Sequence, residues 1–81
     1  MKKTTQEQII IQLLIEGWTD PIEAFKSAGT LKLSNRVGEL RADFEIKDRW
    51  IQTKNRFGNR VRYKEYKIVK PTKKALAKYD L

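Results

Sequence analysis

The 81-residue chain contains no cysteine and no histidine. Without cysteine there is neither a disulfide framework nor a thiolate metal site. Without histidine, any metal or general-base chemistry would fall to carboxylates and lysines alone. No nucleophile–base pair, metal cluster or phosphate-cradling glycine loop is visible, so the chain reads as a non-enzyme with no cofactor. Apolar runs are also short. Ile9 to Ile11 and Leu13 to Ile15, split by Gln12, fall far below the roughly 20 residues of a membrane span. Met1-Lys2-Lys3 ahead of that run has the look of a secretory signal, but Glu7 and Glu16 bracket it and no small-residue cleavage site follows before Trp18, so the expectation is a cytoplasmic protein with no membrane partner.

What the chain does have is positive charge, and it is unevenly placed. The formal net charge is +8. Residues 1–48 carry seven basic against eight acidic side chains, residues 49–70 eight against one, and residues 71–81 three against one. All of the excess therefore lies beyond Asp48. One-signed potential of this kind steers polyanions such as phosphate backbones.

The length fits one domain, 1–81, with a core over 4–69 and a tail over 70–81. A first helix is expected over "TTQEQIIIQLLIEG", opened by Thr4 with Glu7 or Thr5 with Gln8 in the spacing of a capping box. Ile9, Ile10, Leu13 and Leu14 would form its inward stripe, widened by Ile11 and Ile15, with Gly17 as a left-handed stop and Trp18 closing the core behind it. "TDPIEAFKSAG" predicts a second, short helix: Asp20 caps, Pro21 takes the first position, Glu23 completes the box, and Gly29 ends it. Ile22, Phe25 and Ala28 would face inward. After Thr30 and Leu31 comes a third helix, "KLSNRVGELRADF", with Leu33, Val37, Leu40 and Phe44 on one stripe. Gly38 inside it costs about 1 kcal/mol of helix propensity relative to alanine, which suggests close packing or close approach of a partner.

From Arg49 the pattern alternates. "RWIQTK" and "RVRYKEYKIV" around Asn55 to Asn59 predict a β-hairpin. Placing Asn55 opposite Val61 sets Trp50 opposite Tyr66, an aromatic couple buried beneath the ribbon with Ile68 on the same face. Pro71 ends the second strand, and the tail is either a short helix capped by Thr72 or a frayed end. The fold class is thus α+β: three helices, then a two-stranded hairpin, with room for a short C-terminal helix.

In this order the chain resembles a small group of phage and prophage winged helix-turn-helix domains. The likeness rests on "DPIEAF" (Asp20 to Phe25), "RVGELR" (Arg36 to Arg41), "RWI" (Arg49 to Ile51) and "NRFG" (Asn55 to Gly58), and covers about residues 4–69. One departure stands out: Phe25 crowds the place where a small residue usually lets the second and third helices close, so a wider turn is expected. The resemblance implies binding of double-stranded DNA through the third helix and the hairpin, or wing.

The residues themselves can be weighed for that role. On the third helix Lys32, Asn35, Glu39 and Ala42 turn outward, with Arg36 and Arg41 on the flanks. Asn35 can make two bonds to an adenine edge, Lys32 or Arg36 can reach guanine acceptors or phosphates, and Ser34 suits a phosphate. Glu39 and Asp43 oppose a duplex. On the wing, Lys54, Arg62 and Lys64 occupy successive sites, while Arg56, Asn59 and Arg60 surround Phe57 at the tip. A cationic strand also blunts an edge against aggregation, but the near absence of acidic residues over this span, together with an aromatic at the tip, favours a groove or phosphate contact. The expected function is a phage or prophage transcriptional regulator acting on the nucleoid. Three alternatives stand beside it: an excisionase-like recombination factor, a module binding a host or phage protein, and a single-strand or RNA binder using Phe57 and Tyr63.

Overall fold

The structure is a computed structural model, which describes residues 5–81; Lys2, Lys3 and the alternative cap at Thr4 lie outside the described residues. Helix α1 runs Gln6–Glu16. It opens with a reciprocal cap: the Gln8 backbone N–H donates to Thr5 Oγ1 at 3.1 Å and the Thr5 N–H donates to Gln8 Oε1 at 2.9 Å, satisfying two of the four orphan donors of the first turn. Gly17 does not supply a left-handed stop. Its φ of 168° is extended backbone, and the chain runs straight on into Thr19. Burial within the widened inward stripe is uneven. Ile10, Ile11 and Leu14 are buried, while Ile9 and Leu13 are half-buried. The reason is that α1 packs against two neighbours at once, the second helix and the second strand, so its buried arc is set by where those two meet.

Helix α2 spans Pro21–Ala28, with Asp20 accepting from the Glu23 N–H at 2.7 Å and Gly29 ending it at φ 74°. Its start and stop agree with the sequence reading, but its orientation does not. Ala24 is buried and Ala28 packs against the core, whereas Ile22 and Phe25 stand 65% and 50% exposed. Small residues on the inner face let the α2 backbone come close to α1, and Gln6 Nε2 donates to the Ala28 carbonyl across that contact. With Phe25 outside, it does not crowd the joint to the next helix.

Helix α3, Leu33–Leu40, buries Leu33, Val37 and Leu40 as expected. It is shorter than the apolar stripe that predicts it: residues 41–43 form a turn, and Phe44 enters the core from beyond that turn. The chain then forms an antiparallel hairpin, β1 (Glu45–Lys54) and β2 (Arg60–Val69). β1 thus begins four residues before Arg49. The register places Lys54 opposite Arg60, Trp50 opposite Lys64 and Asp48 opposite Tyr66, two residues from the expected pairing. A two-residue slip keeps every side chain on its face, so Trp50, Tyr66 and Ile68 do share one side. The supposed buried couple does not exist, however: Tyr66 is buried, and Trp50, further out, is 57% exposed.

Thr19, in the joint between α1 and α2, exchanges two backbone hydrogen bonds with Tyr66, at 2.9 and 3.0 Å. It adds a one-residue third strand to the edge of β2. Trp18 beside it lies half-buried under the Arg49 guanidinium, 4.3 Å from the ring centroid, rather than in the core.

The end of the chain is a helix, α4 (Lys73–Lys78), capped by Thr72. It is latched to the turn after α3. The Tyr79 hydroxyl donates to Asp43 at 2.7 Å and Lys78 Nζ donates to the same carboxylate at 3.0 and 3.1 Å, while the Phe44 and Tyr79 rings stack at 5.8 Å. The Tyr79 hydrogen bond, and then Lys78, hold the Asp43 carboxyl below its ordinary value. The same bond, with burial, pushes the Tyr79 phenol up to about 12. Gln8 Nε2 ties the start of α1 to the Tyr79 carbonyl at 2.7 Å. Among the described residues no helix is long and apolar enough to cross a membrane.

Candidate functional site

The hairpin positions the basic side chains. Its inner end is covered by the helices through Ile46, Tyr66 and Ile68. Beyond the Asp48–Tyr66 pair the same face continues outward as Trp50, Gln52 and Lys54 on β1 and Lys64, Arg62 and Arg60 on β2. The alternation that buries the base of the ribbon therefore also gathers the cations on one side of its free half. The opposite face carries Ile51 opposite Tyr63 and Thr53 opposite Val61, with Arg49 bonded to Glu65 at 2.8 Å nearer the body.

From Trp50 through Lys64 there is no acidic residue, against five basic ones. Lys54, Arg56, Arg60 and Arg62 have no carboxylate partner among the described residues. Arg62 and Lys64 lie instead on the Trp50 ring, at 4.6 and 4.9 Å from its centroid, where the ring quadrupole attracts a cation. Lys64 also stands 3.9 Å from Asp48. At the tip, Arg56 lies 4.9 Å from the centroid of Phe57, which is 75% exposed. Asn59 contributes backbone rather than side chain: its N–H donates to Asn55 Oδ1 at 3.1 Å and its carbonyl accepts from the Asn55 N–H at 2.9 Å.

Helix α3 divides its candidates differently. Opposite the buried stripe lie Asn35, Gly38, Glu39 and Ala42, all exposed. Three of these four are small or uncharged, so the centre of this face is low. Lys32 precedes the helix with φ −126° and ψ 55°, and α3 begins without a side-chain cap. The first turn is held from its own backbone and from Thr30 instead: the Lys32 N–H donates to Thr30 Oγ1 and the Asn35 N–H to the Lys32 carbonyl, both at 3.1 Å, leaving Lys32 and Ser34 exposed beside it. Arg36 leans toward Glu39 at 3.5 Å, an exposed contact worth about 1 kcal/mol or less. Arg41 is the candidate that the fold commits elsewhere: Nη1 donates to the Ile46 carbonyl at 2.7 Å and Nη2 to Asp48 at 2.9 Å. It clasps α3 to the base of the hairpin.

Two open clefts of about 450 Å³ each flank this surface. One, lined by Gln6, Leu31, Lys32, Asn35, Arg36 and Glu39, lies on the α1 side of α3. The other lies between α3 and the hairpin and is lined by Pro21, Leu31, Ser34, Trp50, Lys64 and Tyr66 among others. Leu31, 83% exposed, stands between them. The structure thus joins Ser34 to Lys64, and through the hairpin face to Arg62, Arg60 and Lys54. Lys32, Asn35 and Arg36 form a second group on the other side of Leu31. Sequence reasoning missed Trp50 and Leu31, the first assigned to the core and the second to a linker. The signal that marks Trp50 is its place at the start of the acid-free segment.

Comparison with protein families, with curated proteins and with solved structures finds no match. The chemistry of the surface itself carries the functional reading.

Proposed function

We propose that the protein binds double-stranded DNA as a winged helix-turn-helix factor, with α3 in the major groove and the hairpin as a wing along the backbone and into the minor groove. The observation that carries this reading is the projecting, acid-free half-ribbon, whose Lys54, Arg56, Arg60 and Arg62 have no carboxylate partner among the described residues. Unpaired guanidinium and ammonium groups on one face release condensed counterions when they meet phosphates, which drives association. The pairing of Thr19 with Tyr66 supports the topology, because a short strand between the first two helices, laid beside the hairpin, completes the winged arrangement of helices and sheet. Low relief at the centre of α3 and the exposed Ser34 and Lys32 at its start suit a groove and its phosphates.

In this reading Asn35 reads a base edge, Lys32, Ser34 and Arg36 hold phosphates or guanine acceptors, and Arg41 positions α3 against the wing. The protein acts on the nucleoid in the cytoplasm as a phage or prophage regulator, without chemistry or cofactor. A second reading, binding of a host or phage protein, draws on the exposed apolar side chains Ile22, Phe25 and Leu31. Under it, Phe25→Ser would abolish the function and leave duplex binding untouched.

The test of the DNA reading is a salt titration. Replacing Arg56, Arg60 and Arg62 together with alanine should weaken binding to any duplex. It should also flatten the slope of log affinity against log salt by about 0.9 for each phosphate that these side chains neutralise. An unchanged slope places the phosphate contacts elsewhere.

A further inference from the structure

We propose that Phe57 is a wedge: it enters the minor groove, inserts between two base pairs and kinks the duplex. This rests on the DNA-binding reading and adds to it a change in DNA shape.

Phe57 sits beyond the Lys54–Arg60 pair, which is itself six residues out from the Asp48–Tyr66 pair at the edge of the covered body. At about 3.3 Å per residue that is about 20 Å of projection. No core exists at that distance, and the ring is 75% exposed. An exposed aromatic on a floppy loop would need no explanation. Here the loop is braced from inside. Asn55 Oδ1 accepts from the Phe57 N–H at 2.9 Å and the Asn59 N–H at 3.1 Å, while the Asn55 carbonyl accepts from the Gly58 N–H and the Asn55 N–H donates to the Asn59 carbonyl, both at 2.9 Å. Gly58 takes φ 80°, which a residue without Cβ adopts freely. The backbone of the tip is held in one conformation, so the loop that carries the ring needs little further ordering before its insertion.

The ring's surroundings select the ligand. Its near neighbour is the Arg56 guanidinium, with the Lys54 and Arg60 pair behind it. An apolar protein groove would have to desolvate these cations, whereas the minor groove supplies negative potential to all of them while the ring reaches the base stack. Width gives the consequence. Two strands alone stand about 4.8 Å apart, and with side chains the tip exceeds the roughly 6 Å minor groove of straight B-DNA. Entry requires the groove to open, and partial unstacking with a bend toward the major groove does this, by about 20–90° in wedge-inserting proteins.

The experiment uses the full chain and a short duplex carrying a donor and an acceptor dye at its two ends, with energy transfer read at saturating protein. The wild-type chain should bring the ends together. Phe57→Leu, which keeps an apolar wedge, should do so as well. Phe57→Ala should still saturate the duplex, at a higher protein concentration, but leave it straight, with its thermal melting unchanged because the ring touches no core. Saturation without bending by the wild-type chain, or equal bending by Phe57→Ala, overturns the wedge while leaving DNA binding intact. Failure of the wild-type chain to saturate any duplex at low salt overturns the binding reading, and the wedge with it.

Discussion

Gly38→Ala separates folding from binding more cleanly than any other single change. Gly38 lies inside α3 with an ordinary helical backbone, and a Cβ placed on it meets nothing within 4 Å. Internal packing therefore does not require glycine here. Alanine would reduce the entropy of the unfolded chain and improve helix propensity, together worth about 0.5–1 kcal/mol. In a domain of this size 1 kcal/mol moves the midpoint by about 4–8 °C, so Gly38→Ala should melt about 2–8 °C higher. The same methyl would rise from the lowest point of the outward face, between Ser34 and Asn35 on one side and Arg41 and Ala42 on the other. A groove seated on that face would have to back away, and affinity for a selected duplex should fall several-fold. Circular-dichroism melts and anisotropy titrations on the one variant supply both numbers. A lower midpoint would mean that Gly38 has no free space around it. A higher midpoint with unchanged affinity would mean that the outward face of α3 does not approach DNA closely, and would leave binding to the hairpin.

Two further outcomes are expected. Asn35→Ala should reduce preference for a selected site by about 1–3 kcal/mol, the worth of a bidentate base contact, while sparing affinity for random duplex; equal losses on both, measured by competition, would remove Asn35 from base reading. The α4 latch should depend on pH at both ends. Tyr79 is raised above its ordinary 10 to about 12, so the stability from its neutral phenol is complete below pH 10 and disappears as pH rises through about 12. Asp43 is lowered from 3.8, so its contribution is present above that value and is lost as acid protonates it. Tyr79→Phe should reduce the alkaline loss, leaving the part that belongs to the buried Tyr66, whose phenol burial also raises, and should remove the phenol that ionises at about 12 from an ultraviolet titration; an unchanged alkaline loss and an unchanged titration would dissociate the latch from Tyr79.

What could be read from the chain was what local chemistry decides. Asp20-Pro21-Glu23 and Gly29 bound α2 because caps depend on neighbours within one turn. The stripe of Leu33, Val37 and Leu40 was legible for a related reason, its period being a property of the segment, whereas Phe44 reaches the same core from beyond the turn that ends the helix. The inward face of α2 was not legible, since a two-turn helix can be phased on its large residues or on its small ones, and close approach to α1 favoured Ala24 and Ala28. The faces of the hairpin were legible and its register was not. Alternation fixes parity, whereas the two-residue offset follows from the Asn55 side chain closing the loop. The exposure of Trp50 depends on where the helices stop covering the ribbon, which is non-local. For the same reason the cations of the ribbon were visible as candidates, while the engagement of Arg41 was not: its partners, the Ile46 carbonyl and Asp48, are brought to it only by the turn at residues 41–43.

That clasp makes a measuring gauge of the molecule. Arg41 joins the end of α3 to the first residues of β1, Phe44 and Ile46 pack beneath it, and Thr19 fastens β2 on the other side. These ties set the base of the ribbon against the helices, so while they hold, the span from the α3 face to the Phe57 tip is counted in whole strand residues. Removing two residues from each strand would retract the tip by about 6.6 Å and leave every face as it is; removing one from each would turn the inner and outer faces of the free half about. Any partner that engages both ends at once must therefore carry two features at one set spacing, and can be recognised by that spacing alone.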